Sequence, residues 1–459
     1  MIASVVILIA TCVLLWVDPS RLVLGILCIG VLTMLIFSGM HIAVAMLMVG
    51  FVGIWLMRDN VSIGISALRS ATTGTIDKFD FGVVPLFVLM GLLVNASGLG
   101  KDSYAVAASL LRKLAGGLAI ATVAANAVFA AITGISIASA AVFTRVAVPQ
   151  MRAHSYSGGF AAGTVAGSSV LGMMIPPSLL LIIYGFVTET SVGKLFVAAT
   201  VPGILLAISF CIYIYIAARY FPAQLGCPTV ADDVTPIKGS TAVRALLPIL
   251  SLVVIVLGGI YTGVFSPTQA GAVGAFVALV IAALRRSLTA AILWSVMKET
   301  GIISVVILLL IVAAAAFTKM LVISGIPAAV LGVLTDSEMS FWGFMLCYFA
   351  IIVVLGMFLD STSIILIVVP LVAGAVPIIA ASAVSGEVMV WFGIVTVLAV
   401  EIGLLTPPFG LSVYVVKATL DDPSVSLGDV FRGALPYVCI MAAVTLVLTA
   451  FPILSLFWI

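Results

Sequence analysis

Two pairs of adjacent prolines, Pro176-Pro177 and Pro407-Pro408, interrupt long apolar stretches of the sequence. Proline has no backbone N–H and clashes with the preceding helical turn, so a helix cannot run unbroken through either pair. Inside a bilayer, the backbone groups released by such a break are tolerated only where protein or a watery cavity surrounds them. A paired break therefore indicates a binding site within the membrane, where a ligand would meet free backbone groups.

The membrane setting follows from the composition. Of the 459 residues, 64% are hydrophobic and 8% are charged, and the mean hydropathy is +1.41. These values lie far outside the range of soluble domains and predict an all-α polytopic protein in a lipid bilayer. The net charge of +2 indicates no surface for nucleic acid. The sequence has neither an H-E-x-x-H motif nor a C-x-x-C pair, so we expect no enzyme activity and no metal centre of that kind.

Clusters of small polar residues precede each break. Apolar runs on both sides of Thr133 to Ser136 predict a re-entrant hairpin over 117–151, and those around Asp360 to Ser363 predict another over 341–379. A broken helix follows each hairpin, at 158–187 and 387–416, and a closing helix follows each broken helix. Because the same order of elements occurs twice, the sequence predicts an internal repeat.

The distribution of Lys and Arg indicates that the two repeats have opposite orientations. If the first predicted helix, 2–17, begins inside the cell, most basic side chains lie on the cytoplasmic side, as the positive-inside rule requires. This topology places the C-terminus outside and inverts the second repeat relative to the first. Inverted repeats allow one binding site to be reached alternately from the two sides of a membrane.

These features divide the chain into four predicted segments. They are N-terminal scaffold helices with an additional first helix and an interfacial arm (1–80), the transport core of the first repeat (81–202), a linker with scaffold helices and a second arm (203–300), and the second repeat (301–459).

Five motifs resemble those of one known family. They are Val84 to Gly91, Thr133 to Ser139, Gly172 to Ser178, Gly356 to Asp360 and Glu401 to Gly410. The chain thereby resembles, over roughly residues 21–457, the large membrane subunit of tripartite ATP-independent periplasmic (TRAP) transporters. The resemblance implies a sodium-coupled, elevator-type permease of the bacterial inner membrane that imports an organic acid such as a dicarboxylate or sialic acid. It also implies a small four-helix membrane subunit and a soluble periplasmic binding protein as partners, and two or more Na⁺ ions.

Sodium requires several oxygen ligands, which hydroxyl groups and the carbonyl groups freed at helix breaks can supply. In the first repeat, we predict Na⁺ contacts at Thr133, Gly134, Ser136, Ser139, Gly167, Ser168 and Gly172. In the second repeat, we predict them at Asp360, Ser361, Thr362, Ser363, Glu401, Gly403 and Thr406. The alternative role of the small residues is to allow close helix contacts, and Glu401 could equally be structural.

A carboxylate substrate could be bound by the N-termini of half-helices, whose free amides and positive dipole ends favour anions. The residues expected around it are Ser136, Pro176, Pro177, Ser178, Thr362, Pro407, Pro408 and Phe409. Arg145 and Lys319 are cations within apolar stretches, and each could either attract the anion or extend to the membrane surface.

One group of alternatives shares the predicted fold. A stand-alone sodium-coupled carboxylate carrier, or a sodium/proton antiporter of the same superfamily, would need no binding protein. A channel is less compatible with two hairpins that end inside the membrane, because such hairpins favour alternating access over a continuous pore.

Overall fold

The computed structural model describes residues 20–77, 79–226, 236–337 and 339–459, and the regular secondary structure of these residues is helical. The additional first helix predicted at 2–17 lies outside the described residues. Among the described residues, six helices are long and apolar enough to span a membrane, or eight if each of two bent helix pairs is one span. The chain is a multi-pass membrane protein.

The helices of the first half precede and include the first repeat. They are α1 (Arg21–Phe37), α2 (Ile42–Arg58), α3 (Val61–Ile76), α4 (Val83–Ala96), α5 (Leu99–Leu111), α6 (Gly117–Thr133), α7 (Ser136–Ala153), α8 (Gly158–Ser169), α9 (Leu171–Met174), α10 (Leu179–Thr188), α11 (Val192–Tyr220) and α12 (Pro222–Leu225), with a 3-10 turn at Phe79–Gly82.

The helices of the second half follow in similar order. They are α13 (Gly239–Tyr261), α14 (Pro267–Leu284), α15 (Ala290–Ser324), α16 (Ile326–Asp336), α17 (Phe341–Gly356), α18 (Ser361–Val372), α19 (Val376–Ile379), α20 (Val388–Leu405), α21 (Leu411–Thr419), α22 (Leu427–Ala450) and α23 (Ile453–Leu456).

Both double prolines interrupt a helix, as predicted. The first broken helix ends at Met174 and resumes at Leu179 with a bend of 43°. The second ends at Leu405 and resumes at Leu411. Both Pro-Pro bonds are cis. Neither double proline can donate the backbone hydrogen bonds that a continuous helix requires, so the interruption follows from the residue type.

The hairpins α6–α7 and α17–α18 pack against the broken helices in a crossed arrangement. The first part of each broken helix contacts the hairpin of its own repeat, α8 against α6 and α7, and α20 against α17 and α18. The second part contacts the hairpin of the other repeat, α10 against α18 and α21 against α7. The two repeats therefore form one core, in which both tips approach both breaks.

Glycines allow the tightest helix crossing in this core, between α8 and α22. Gly159, Gly163 and Gly167 recur every four residues on α8 and therefore share one face. A Cβ atom at Gly159 would lie 2.8 Å from the carbonyl oxygen of Asp429, and one at Gly163 would overlap the backbone of Gly433. Such small-residue stripes let helix backbones approach closely, which is the main source of helix association in membranes.

Two elements differ from the predicted boundaries. Residues 290–324 form the single helix α15, which crosses the predicted boundary at residue 300 between the second arm and the second repeat. At 1.5 Å per residue this helix is about 52 Å long, against roughly 30 Å of bilayer hydrocarbon. The exposed Lys298 and Glu299 lie in its first third. In addition, the predicted transport core of the first repeat begins with α4 and the helix α5, which meets α4 at 61°.

Charged contacts gather at the ends of the helices. On the predicted cytoplasmic side, Arg152 pairs with Asp422 at 3.3 Å, and Lys417 donates to the carbonyl group of Asp422. Hydrogen bonds from the side chain and backbone of Ser424 lower the pKa of the Asp422 carboxyl group below its ordinary value, and Arg152 contributes in the same direction. On the opposite side, Lys194 pairs with Glu387.

Candidate functional site

The first hairpin tip contacts the first helix break through its backbone. Gly134 ends α6 with a φ of +62°, a left-handed conformation that favours glycine. Its carbonyl oxygen accepts a hydrogen bond of 3.2 Å from the amide of Leu179, the first residue of α10. A Cβ atom at Gly134 would lie 2.5 Å from the carbonyl oxygen of Pro177. The tip and the break are therefore held together at a distance that only glycine permits.

Gly172 brings the other side of the break against the same tip. A Cβ atom at Gly172 would lie 3.2 Å from the backbone of Ile135 and Ser136. Ser136 is fully buried, and its hydroxyl group has no hydrogen-bond partner among the described residues. A buried hydroxyl group without a partner is costly and indicates a place where a ligand could supply the missing interaction.

Asn126 connects the remaining polar residues of the first repeat. Its amide nitrogen donates to the hydroxyl group of Ser168 at 2.6 Å, and its amide oxygen accepts a hydrogen bond from Ser139. All three side chains are fully buried. The structure therefore brings two predicted residues, Ser139 and Ser168, together through a third that the sequence analysis did not identify. The only signal available was an amide within an otherwise apolar stretch of α6.

Two further predicted residues of the first repeat have internal hydrogen bonds. Ser178 begins α10 by accepting a hydrogen bond from the amide of Leu181 at 3.3 Å, and its hydroxyl group donates to the carbonyl oxygen of Met173 across the break. Thr133 donates to the carbonyl oxygen of Phe129 at 3.1 Å. In this conformation both hydroxyl groups donate to backbone carbonyl oxygens. The hydrogen bond of Ser178 connects the two sides of the break.

The second hairpin tip is built around Asp360. Its carboxylate caps α18 by accepting hydrogen bonds from the amide of Ser363, at 3.2 Å, and from the hydroxyl group of the same residue. The hydroxyl group of Ser361 donates to Oε1 of Glu401 at 3.3 Å. Glu401 is 1% exposed, and its Oε2 has no hydrogen-bond partner among the described residues. An unsatisfied carboxylate oxygen therefore lies directly beside the second tip.

Glycines again permit the contact between this tip and its broken helix. A Cβ atom at Gly403 would lie 2.6 Å from the Cα atom of Gly356, and the reverse distance is 2.7 Å. Thr406 donates to the carbonyl oxygen of Ile402 at 2.7 Å. Thr362 is half-buried on the first turn of α18. The close approach of α17 and α20 places the Glu401 carboxylate next to the start of α18.

The two breaks differ in exposure. Pro176 and Pro177 are buried, whereas Pro407, Pro408 and Phe409 are exposed, the last to 52%. The ring of Phe409 lies 5.8 Å from that of Phe358 at the second tip, which in turn lies 5.9 Å from Phe37 at the end of α1. In the predicted topology this end of α1 is cytoplasmic. At the breaks, the residues expected around a substrate are thus buried in the first repeat and exposed in the second.

The donor set suits an alkali cation. Among the described residues no three His, Cys, Asp or Glu side chains form a group that could hold a metal ion. The oxygen donors at the tips and breaks are hydroxyl groups, carbonyl groups and the carboxylates of Asp360 and Glu401. Such oxygen donors are characteristic of sodium and potassium sites.

On the sodium coupling that the resemblance implies, replacing Asn126 with alanine is expected to weaken the sodium dependence of uptake. The change leaves Ser139 and Ser168 without their shared partner and removes hydrogen bonds that position both hydroxyl groups. We expect the Na⁺ concentration for half-maximal uptake to rise about tenfold, equivalent to one lost hydrogen bond of about 1.4 kcal/mol. Uptake into proteoliposomes as a function of Na⁺ concentration measures this effect. Asn95→Ala, at an exposed position of α4, is the control; equal curves for the two variants would contradict the assignment.

Comparison with known proteins identifies the family. Residues 29–454 match the model of the tripartite ATP-independent periplasmic transporter, DctM component. The C4-dicarboxylate TRAP transporter large permease protein of Pseudomonas aeruginosa is 34% identical over 385 residues, which are 83% of this chain and 86% of the relative. The sialic acid TRAP transporter large permease protein of Vibrio cholerae is 30% identical over 419 residues, 91% of this chain and 94% of the relative.

A solved structure supports the fold. The Alcanivorax borkumensis YdaH transporter aligns with a TM-score of 0.60 over 87% of this chain and 90% of that chain, at 15% sequence identity. The relatives named above are permeases rather than enzymes, in agreement with the prediction that no enzyme activity is present. The matched residues, the identity of these relatives and their coverage show that the chain belongs to the family of TRAP transporter large permease subunits.

Proposed function

We propose that the chain is the sodium-coupled permease of a binding-protein-dependent importer for an organic acid anion. The observation that carries the proposal is the pair of hairpin tips at two helix breaks, each with a buried oxygen that has no partner among the described residues, Ser136 Oγ and Glu401 Oε2. Relatives that transport C4-dicarboxylate and sialic acid support the substrate class. The location implied by this function is a bacterial inner membrane.

One Na⁺ ion would bind in each repeat. In the first repeat, the carbonyl groups around Gly134 and the hydroxyl groups of Ser136, Ser139 and Ser168 are the available donors. In the second repeat, Glu401, Ser361 and the carbonyl groups near Gly403 and Thr406 supply them. A cation bound beside a buried carboxylate offsets the solvation that the carboxylate lost on burial. The Glu401 carboxylate would therefore stabilise a bound ion in the second site.

The organic anion would bind between the tips, where α7, α10 and α18 begin. The positive dipole ends of these helices would favour a carboxylate. The exposure of Phe409 and the burial of Pro177 support an alternating-access cycle in which the two breaks exchange environments. The elevator mechanism, in which the core moves past the scaffold helices, is part of this proposal.

Sodium coupling makes accumulation energetically sensible. Each net positive charge that enters with the substrate gains about 2.3 kcal/mol per 100 mV of membrane potential. This corresponds to roughly 50-fold accumulation per net charge. Import of a dianion with three Na⁺ ions would therefore respond to voltage, whereas import with two would not.

Two protein partners belong to the proposal. Family membership favours a small four-helix membrane subunit beside the permease and a periplasmic binding protein that delivers the substrate. Capture of a scarce solute requires a binding domain, and the described residues outside the helices form short connections.

Reconstitution tests the function directly. The permease and its small subunit in proteoliposomes are expected to take up a labelled C4-dicarboxylate or sialic acid only when an inward Na⁺ gradient and the binding protein are both present. Uptake at the same rate with and without the binding protein would identify a stand-alone carrier. Sodium-driven proton movement without any organic acid would identify an antiporter. If the folded protein takes up neither the C4-dicarboxylate nor sialic acid in the presence of both partners, the organic-acid assignment is contradicted.

A further inference from the structure

Lys319 is the single charged residue between Gly301 and Thr335, within the most apolar part of α15. Its amine donates a hydrogen bond of 2.7 Å to the hydroxyl group of Ser70 on α3. Among the described residues no carboxylate oxygen lies within 4.0 Å of the amine. A positive charge is therefore held in place by a neutral partner.

Ser70 and Lys319 line two cavities at once. The first has a volume of about 410 Å³ and is lined on α3 by Ser62, Ser66 and Ser70. These serines recur every four residues and therefore share one face of the helix. The second cavity has a volume of about 660 Å³. Its lining hydroxyl groups are those of Ser70, Thr75, Thr188 and Thr318. Glu189, which has a carboxyl group, also lines this cavity. The lysine amine thus lies at both cavities, together with several hydroxyl groups.

The larger cavity lies between scaffold elements and the transport core. Its walls come from α3 and α15 on one side and from the end of α10, the second part of the first broken helix, on the other. The rings of Phe81 and Phe186 stack at 4.5 Å between these two sides. The end of α15, at Ser324, packs against Gly25 near the start of α1, which is the outer end in the predicted topology. In the predicted topology, the cavity therefore lies toward the outer side of the membrane.

We propose that Lys319 and Ser70 form a receiving site for the carboxylate of the incoming substrate, on the outer side and ahead of the site between the tips. A lysine amine and a serine hydroxyl group both donate hydrogen bonds to a carboxylate, and the cationic donor makes the bond stronger. Electrostatic attraction in a cleft with low-dielectric walls raises the local concentration of an anion. The proposal rests on the proposed import of an organic anion.

A thiol at position 70 tests anion attraction without any transport step. The Ser70→Cys variant is made in a full-length chain that lacks its native cysteines. Its thiol is modified from outside right-side-out vesicles by two thiosulfonate reagents, one carrying an anionic sulfonate group and the other a cationic trimethylammonium group. The measured quantity is the reaction rate of the anionic reagent divided by that of the cationic reagent. We expect this ratio to be about tenfold higher with Lys319 than with Lys319→Gln. Lys298→Gln, at an exposed position in the first third of α15, is the control and leaves the ratio unchanged.

Succinate, as a carboxylate probe, is expected to slow the anionic reagent several-fold, and only when Lys319 is present. A rate ratio that does not depend on Lys319, or the absence of succinate protection, would overturn the proposal. The vesicles are prepared from phosphatidylcholine alone and with phosphatidylglycerol. If phosphatidylglycerol removes the preference for the anionic reagent and succinate does not protect, the site binds lipid phosphate and the proposal is wrong. Because no uptake is measured, these outcomes are independent of the reconstitution result.

Discussion

Gly163→Val is expected to destabilise the transport core strongly. The new side chain would occupy the position of the Gly433 backbone, and neither α8 nor α22 can move without disturbing the hairpin and broken helix beside it. Overpacking of a side chain typically costs 1–3 kcal/mol, and here the obstacle is backbone rather than a flexible side chain, so we expect about 3 kcal/mol or more. The measurement is the midpoint of thermal unfolding in detergent, together with the fraction of protein that is monodisperse.

Gly301→Val is the matched control for this prediction. Gly301 lies within the apolar helix α15, and a Cβ atom there would have no neighbour within 4 Å. The same chemical change should therefore leave the unfolding midpoint almost unchanged. If both valine variants unfold at the same temperature, the close crossing of α8 and α22 does not limit stability. A milder variant, Gly163→Ala, would then show whether the helices separate to accept a Cβ atom.

The position of the helix breaks could be predicted because the cause is local. Pro176-Pro177 and Pro407-Pro408 cannot continue a helix in any context, and the structure has a break at each. The tips were predictable for a similar reason, since Gly134 and Asp360 are residues that end or begin helices. Bringing each tip to a break required pairing the apolar runs correctly, which the repeat made possible.

The missing parts of the prediction depend on tertiary contacts. Asn126 contributes to the first site only because α6 packs beside Ser139 and Ser168, and nothing in its neighbours along the chain distinguishes it from a lipid-facing amide. The predicted boundary at residue 300 is absent, because one long helix carries the charges of Lys298 and Glu299 on an exposed part of its surface. The different exposure of the two breaks is a property of conformation, so two similar motifs cannot reveal it.

Glu401→Gln is expected to remove most of the sodium dependence of uptake. The amide has nearly the same volume as the carboxylate and can still accept the hydrogen bond from Ser361, so the tip should keep its position. What disappears is the negative charge beside the proposed cation site. Loss of a charged partner of this kind costs about 2–3 kcal/mol, which corresponds to a roughly 30- to 150-fold higher Na⁺ concentration for half-maximal uptake. Uptake into proteoliposomes over a range of Na⁺ concentrations, at fixed membrane potential, provides the measurement.

The control for this prediction is Glu387→Gln, which neutralises an exposed carboxylate paired with Lys194 at the outer end of α20. Exposed ion pairs contribute little, so sodium dependence should remain unchanged. The two roles considered for Glu401 give different results. If Glu401 is purely structural, Glu401→Gln lowers the unfolding midpoint and the maximal uptake rate while the half-maximal Na⁺ concentration stays constant. If it neutralises a bound ion, the half-maximal Na⁺ concentration rises while the unfolding midpoint in the absence of Na⁺ stays constant or increases, because an uncompensated buried carboxylate has been removed.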